Sequence, residues 1–346
     1  MGSIRAEKPA ADVQSRKNQN AVRVHPVLGS AGERTTEVLR LLVNSPHDGP
    51  TLDALGISKE DMAAQLCLTL PEPGGALYTA DDGLRLQGLL YLEPRLAPSA
   101  AFDAHIWQLG PFIVDPDAPE GTVPAMLDYA LEHTEAPVDH LFARVPAADH
   151  RVVRGLHRYG FNTSVGEAVV VGQPDGNREQ APVGYSFEPL ADHCLEAVTD
   201  LLFDRRHCTA FLRQPASDPE RLRGLSRQEL LGFVNDPDRG ALVAFDGDGA
   251  VAGLAAYRQT VRLAEGNGRR LAGLEHFQIR ADLSNNGVGS LLARTALARL
   301  GIGGVDAVIG HVLLDDERDS CRLGAITGAG FQVTGSNLVL DKAVDR

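Results

Sequence analysis

The sequence predicts a mixed α/β fold of the α+β kind. It is built from two tandem copies of one domain, each a largely antiparallel sheet covered by helices. Three observations carry this: an internal repeat, the order of apolar patterns within it, and a polar joint between the copies. "ALYTADDGLRLQGLLYLEP" from Ala76 resembles "ALVAFDGDGAVAGLAAYRQ" from Ala241, an offset of about 165 residues. At nearly that offset Gly88 meets Gly253, Phe112 meets Phe277 and Val123 meets Val288. Further on the offset drifts to about 170, where "HRYGF" ending at Phe161 meets "TGAGF" ending at Phe331. Upstream, "VRVHPVL" from Val22 resembles "YSFEPLA" from Tyr185. Matches in one order, drifting only through small insertions, mark a duplication.

In chain order, residues 1–20 are polar, carry several Lys and Arg and lack periodicity, so they read as a flexible leader. The first copy spans 21–172. "GQPDGNREQAPVG", from Gly172 to Gly184, is rich in Gly, Pro and polar residues and reads as a linker over 173–183. The second copy spans 184–346. Each copy reads as strand, helical region, two strands, a longer strand, helix, strand, helix, strand. In the second copy the strands fall near 185–190, 241–246, 250–262, 270–280, 305–314 and 331–340. The helices fall near 191–206, 226–235, 287–300 and 319–328.

The 346 residues, 43% hydrophobic and 23% charged, suit a soluble globular chain with room for two domains. No apolar run approaches the length of a membrane span, and the N-terminus lacks signal-peptide architecture. A formal net charge of −13 argues against broad binding to DNA or to an anionic membrane, and it weighs against tRNA. It leaves room for a local site for one phosphorylated ligand. Cys67, Cys194, Cys208 and Cys321 are scattered, without metal-ligand spacing, which predicts neither a zinc site nor a disulfide framework. Such usage fits a reducing cytoplasm.

"SNNGVGSLLARTALARL", from Ser284 to Leu300, places two glycines directly before an amphipathic helix. Val288, Leu291, Leu292, Thr295, Ala296 and Leu300 give that helix one buried face. A strand, "RLAGLEHFQIRADL", precedes it. Free N–H groups in the first turn, with the helix dipole behind them, suit an anion.

Strand, loop, "SNNGVG", helix, strand, short helix and "GAGF" together resemble the GNAT superfamily, the acyl-CoA-dependent N-acyltransferases. Its phosphate loop reads Q/R-x-x-G-x-G/A and its last helix closes on a GF turn. Gly287 and Gly289 match the loop, and Gly330 with Phe331 matches the turn. The resemblance implies a splayed central strand pair in each copy. It also implies acetyl-CoA or another acyl-CoA as substrate and no metal. The pyrophosphate would be held by Ser284, Asn286, Gly287, Val288, Gly289 and Ser290. The pantetheine arm would lie along the fourth strand at Phe277 and Ile279. Two departures stand out. Ser284 occupies the Gln/Arg position, and Ile326 occupies the position of the tyrosine that usually protonates the departing thiolate. Leu156 is the counterpart of Ile326 in the first copy.

The first copy reads "PEGTVPAML" against "SNNGVGSLL", which sets Thr122 against the first glycine and Pro124 against the second. Proline has no N–H to donate, so the first copy reads as degenerate and the second as catalytic. This layout is similar to that of mycothiol synthases, without a closer motif match.

Acyl transfer to an amine needs a proton acceptor. Strand alternation puts Glu275, Phe277 and Ile279 on one face, with His276 and Gln278 on the other. Glu275, which meets Gly110 in the first copy, is the expected base, although a sheet salt bridge explains it too. His311 in "VIGHVLL" and His276 are the further catalytic candidates; a packed strand histidine is the plain alternative for each. His207 and Cys208 in "DRRHCTAF" fall in the region that shapes the acceptor pocket of the family. Arg280, Arg294 and Arg322 are candidate phosphate partners, and N-capping accounts for Asp149 and Asp319.

The expected function is transfer of an acyl group, most simply acetyl, from coenzyme A to an amine of a small molecule. A second reading keeps the fold and changes the donor to an aminoacyl-tRNA or a carrier-bound acyl group, with decarboxylation included, in a natural-product pathway. A third is a non-catalytic binding module in which both copies have decayed.

Overall fold

The structure is a computed structural model that describes residues 22–27, 34–46, 49–68, 74–134, 136–174, 184–203, 219–259, 268–315 and 317–344. The expected leader, His207 and Cys208 lie outside the described residues.

The first repeat supplies β1 (Arg23–Pro26), α1 (Thr35–Asn44), α2 (Gly49–Leu55), α3 (Lys59–Leu68), β2 (Ala76–Asp81), β3 (Leu86–Pro94), α4 (Leu96–Phe102), β4 (Ile106–Val114), α5 (Thr122–Glu132), β5 (His140–Pro146), α6 (His150–Arg158) and β6 (Asn162–Gly172). The second supplies β7 (Ser186–Pro189), α7 (Leu195–Phe203), α8 (Pro219–Asn235), β8 (Arg239–Phe245), β9 (Val251–Arg258), β10 (Leu271–Ile279), α9 (Val288–Ile302), β11 (Ala307–Leu313), α10 (Glu317–Gly328) and β12 (Gln332–Ala343).

The twelve strands among the described residues form one sheet in the order β1-β2-β3-β4-β5-β12-β6-β11-β10-β9-β8-β7. Among the described residues only β4–β5 and β10–β11 run parallel. Neither repeat keeps its own last strand. β6 crosses to pair with β11, β12 crosses to pair with β5, and the two lie antiparallel at the centre. The result is a pseudo-two-fold sheet in which each half is completed by the other. Apolar alternation defines a strand's faces and not its neighbour, which is why the repeat pattern did not reveal the exchange.

The parallel pairs are short. β4 and β5 are paired from Ile106 to Leu109 against His140 to Ala143, and β10 and β11 from Leu271 to Leu274 against Ala307 to Gly310. Beyond those rungs each pair splits. α9 and α10 cover one face of the second half, burying Phe277, Val288, Leu292, Val308 and Ile326. α7 and α8 cover the other, burying Val198, Leu230, Leu254 and Ala256.

Helix starts correct the alignment of the loops by one residue. Gly121 caps α5 and Gly287 caps α9, so Val123 matches Gly289 and Pro124 matches Ser290. The packing agrees: Val123 abuts Gly155 of α6, whereas Gly289 abuts Ala325 of α10. The large and small partners have changed places between the copies. A methyl on Gly155 would lie 2.5 Å from Val123 Cβ. Gly155→Ala should therefore cost roughly 1–3 kcal/mol of stability. The fall would be read from the urea midpoint at constant slope, and an unmoved midpoint would contradict the close approach of α5 and α6.

Candidate active site

A cleft of about 480 Å³ opens at the start of α9. Its walls come from Leu201 of α7, Gln278 and Ile279 at the end of β10, the 284–290 loop, and the first turns of α10. Because α7 and α9 lie on opposite faces of the sheet, the cleft runs through the gap where β10 and β11 have separated.

The loop is shaped by two left-handed residues, Asn285 (φ 70°) and Gly287 (φ 86°). Asn286 works inward: its Oδ1 accepts from Val288 N–H at 3.1 Å and its Nδ2 donates to the Tyr185 hydroxyl at 3.0 Å. Val288 is thereby satisfied, and its side chain is core. The donors available to an anion are the N–H groups of Gly289 and Ser290, which the helix leaves without an intrahelical acceptor and which line the cleft. Ser284 and Gly287 also line it, as does Ile279, while Phe277 is buried behind. Two N–H donors at a helix start, opening on a cavity of this size, fit a phosphate group.

The candidate arginines are already engaged. Arg280 pairs with Asp246 at 2.9 Å and Asp282 at 2.8 Å. Arg294 donates to the Gly328 carbonyl at 3.1 Å. Arg322 is buried against Asp319 and donates to Gln278 Oε1 at 3.3 Å, fastening α10 to β10. Asp149 is an N-cap, accepting from Val152 N–H at 3.1 Å. Asp319 is not, because α10 begins two residues earlier than the sequence suggests; its carboxylate reaches back to Asp315 N–H at 3.0 Å. Gln278 and Cys321 line the cleft and were missed; so was the pairing of Arg322 with buried Asp319 behind it, which their i, i+3 spacing could have signalled.

A β-bulge at Glu275 breaks the alternation of β10: Leu274 faces Tyr257 and His276 faces Ala256, with Glu275 extra. Glu275 therefore leaves the face of Phe277 and joins His276 on the α8 side. There its Oε1 lies 3.5 Å from Arg258 Nε. Burial pushes the Glu275 carboxyl up, Arg239 and His276 oppose this, and Glu229 and Asp236 add to it; the net direction is upward. His276 is held by α8, 3.2 Å from Glu229 and edge-on to Phe233. His311 is the first β11 residue past the last rung, as Glu275 is the first on β10. The two stand on either side of the gap's mouth, on the same face. Ile326 and Leu156 are both fully buried in apolar clusters.

In the first repeat the matching cleft has closed to about 20 Å³. Val123 fills it, and Glu120 pairs with Arg158 across it at 2.7 Å. No helix among the described residues is long and apolar enough to cross a membrane. Among the described residues no group of three or more His, Cys, Asp or Glu could hold a metal ion.

This topology is the tandem GNAT fold. It is similar to a tandem GNAT protein from the clavulanic acid biosynthesis pathway (TM-score 0.54, 19% identity, 94% of this chain and 99% of that one). It is also similar to a GCN5-related N-acetyltransferase from Sphaerobacter thermophilus (TM-score 0.58, 15% identity, 94% and 96%). A third similar structure is the GCN5-related glucosamine N-acetyltransferase region of a fungal multi-domain GH3 β-N-acetylglucosaminidase (TM-score 0.58, 13% identity, 93% of this chain and 38% of that one). No protein-family model matches the chain, and no curated protein matches it by sequence.

Proposed function

We propose that the protein is an acyl-CoA-dependent N-acyltransferase, most simply an N-acetyltransferase, acting on an amine of a small molecule. The C-terminal repeat, from 184 onward, is the active one, and the N-terminal repeat, 21–172, is degenerate. One observation carries the reading. Among the described residues, the second repeat has an open cleft of about 480 Å³ with N–H donors at the start of α9, and Glu275 and His311 follow the last rung of the strand pair beside it, whereas the first repeat has a closed cleft with Gly110 and Arg144 at those places. The fold of N-acetyltransferases supports the reaction class.

Gly289 and Ser290 N–H would hold the pyrophosphate, and Ile279 and the unpaired edge of β10 would guide the arm behind it. Acetyl-CoA supplies an acyl group activated as a thioester. Glu275 takes a proton from the ammonium, directly or through water, so that the amine becomes a nucleophile. His207 and Cys208 remain proposed acceptor contacts. The unpaired thiols of Cys67, Cys194 and Cys321 support a cytoplasmic setting. A carrier-bound donor in a natural-product pathway is the second reading, favoured by Ile326 in the thiolate-acid position.

Calorimetric titration should give one tight acetyl-CoA site per chain. Mass spectrometry of co-purified ligands would separate coenzyme A from a carrier arm. Pro124→Ser restores one N–H to the first repeat but leaves Val123 and the Glu120–Arg158 pair in place, so the stoichiometry should stay at one. Absence of acetyl-CoA binding by the unaltered protein would reject the proposal, and two tight sites would reject the assignment of the N-terminal repeat.

A further inference from the structure

The strand exchange puts a residue of the N-terminal repeat beside His311. Glu167, on β6, has its Oε2 3.2 Å from His311 Nδ1. The same oxygen lies 2.8 Å from Arg144 Nε on β5 and accepts from Asn337 Nδ2 on β12 at 3.4 Å. Glu167 is 1% exposed. Burial pushes its carboxyl up, but His311, Arg144 and Asn337 outweigh that and hold it below the usual range. A lone acid inside "EAVVVG" was the sequence signal, since a buried charge needs a partner.

Pseudo-symmetry supplies the second argument. Arg144 follows the last β4–β5 rung as His311 follows the last β10–β11 rung. Thus the first repeat has Gly110 and Arg144 where the second has Glu275 and His311. Glycine cannot take a proton and arginine cannot give one at neutral pH. Both proton-handling positions are competent only in the second repeat. Ile326 of α10 is buried and has no proton to give, and His311 stands at the split as a group that can give one.

We infer that Glu167 of the N-terminal repeat is a positioning residue for the C-terminal site, orienting His311 as the acid that protonates the departing thiolate. The inference rests on the acyltransferase reading above. The His311 Nδ1–H donates to Glu167, which turns Nε2 toward the mouth of the split. As the new C–N bond forms and the C–S bond breaks, the sulfur keeps the bonding pair and takes the proton from His311 Nε2. The nitrogen sheds two protons: Glu275 takes the first from the ammonium and releases it to bulk water, then takes the second as the C–N bond forms, and transfer of that proton through water to His311 returns both side chains to their starting forms. The ionisable groups that face His311 are Glu167 of β6, Arg144 of β5 through the same Glu167 oxygen, and Glu275 across the split on β10.

The test is a ring N–H NMR spectrum of the full-length protein with ¹⁵N-histidine, beside acetyl-CoA calorimetry and thiol release from acetyl-CoA. A downfield Nδ1–H resonance, assigned by its loss in His311→Gln, should also vanish in Glu167→Gln. Each variant should release thiol at least tenfold more slowly, with acetyl-CoA affinity unchanged. The double variant should be no slower than His311→Gln alone, because Glu167 acts through His311. A resonance that survives Glu167→Gln, or a double variant slowed by the product of the single effects, overturns the inference while the acyltransferase reading stands. Unaltered protein that binds no acetyl-CoA overturns both.

Discussion

Glu275→Gln should lower kcat by about 10²–10⁴-fold at neutral pH while leaving acyl-CoA affinity nearly unchanged. An ordinary carboxylate, with a pKa near 4, is a poor base toward an amine whose pKa is near 10. Burial moves Glu275 in the useful direction: desolvation raises its carboxyl, and the Arg239 and His276 charges only partly offset it. The Arg258 contact at 3.5 Å is partly open to water and opposes this rise only weakly. The sign of the pH effect follows. The base works when deprotonated, so activity is present above the raised pKa and is lost as pH falls through it. The acidic limb of kcat should thus lie above the usual carboxylate range and should disappear in the glutamine variant. The deficit should shrink at high pH, where the amine arrives neutral. A variant with near-normal kcat at neutral pH would return Glu275 to the role of a sheet ion pair with Arg258.

Elements with strong periodicity were legible in the sequence. α9 was expected over 287–300 and spans Val288–Ile302, because its apolar stripe and the preceding glycine both mark it. β10, expected over 270–280, spans Leu271–Ile279. α8 begins at Pro219, well before the expected 226, since its first turns are polar and lie against solvent. What periodicity could not carry is the identity of neighbours. The exchange of β6 and β12 depends on which sheet edge each strand meets, and Glu167 meets His311 only through it. The face of Glu275 was misread for a related reason. Alternation holds between bulges, and no residue in "LAGLEHFQI" announces one. The Asn286 bonds illustrate a third limit: an asparagine in a glycine loop before a helix reads as a ligand until its own backbone and Tyr185 claim it.

Ser290→Pro should weaken acyl-CoA binding by tenfold or more, at least about 1.4 kcal/mol. The substitution copies the first repeat, where Pro124 holds the same place in the first turn of α5. The fold should survive for that reason, and because the N–H removed has no intrahelical acceptor to lose. A charge-assisted N–H to phosphate bond contributes roughly 1.5–3 kcal/mol, so loss of one of the two donors is large on the scale of binding. Gly289 is the less informative target. A methyl there would sit 2.8 Å from Ala325 Cβ and 3.3 Å from Ile279 Cγ1, so any side chain would wedge α9 from α10 and confuse packing with recognition. Pairing Ser290→Pro with Ser290→Ala separates the backbone donor from the hydroxyl. Alanine keeps the N–H, and its affinity should stay within about threefold, or ~0.65 kcal/mol, of the unaltered protein. Calorimetry with acetyl-CoA reads both, and thermal unfolding confirms that each variant is folded. Unchanged affinity in a folded Ser290→Pro protein would remove the phosphate from the start of α9 and, with it, the basis for placing coenzyme A in this cleft.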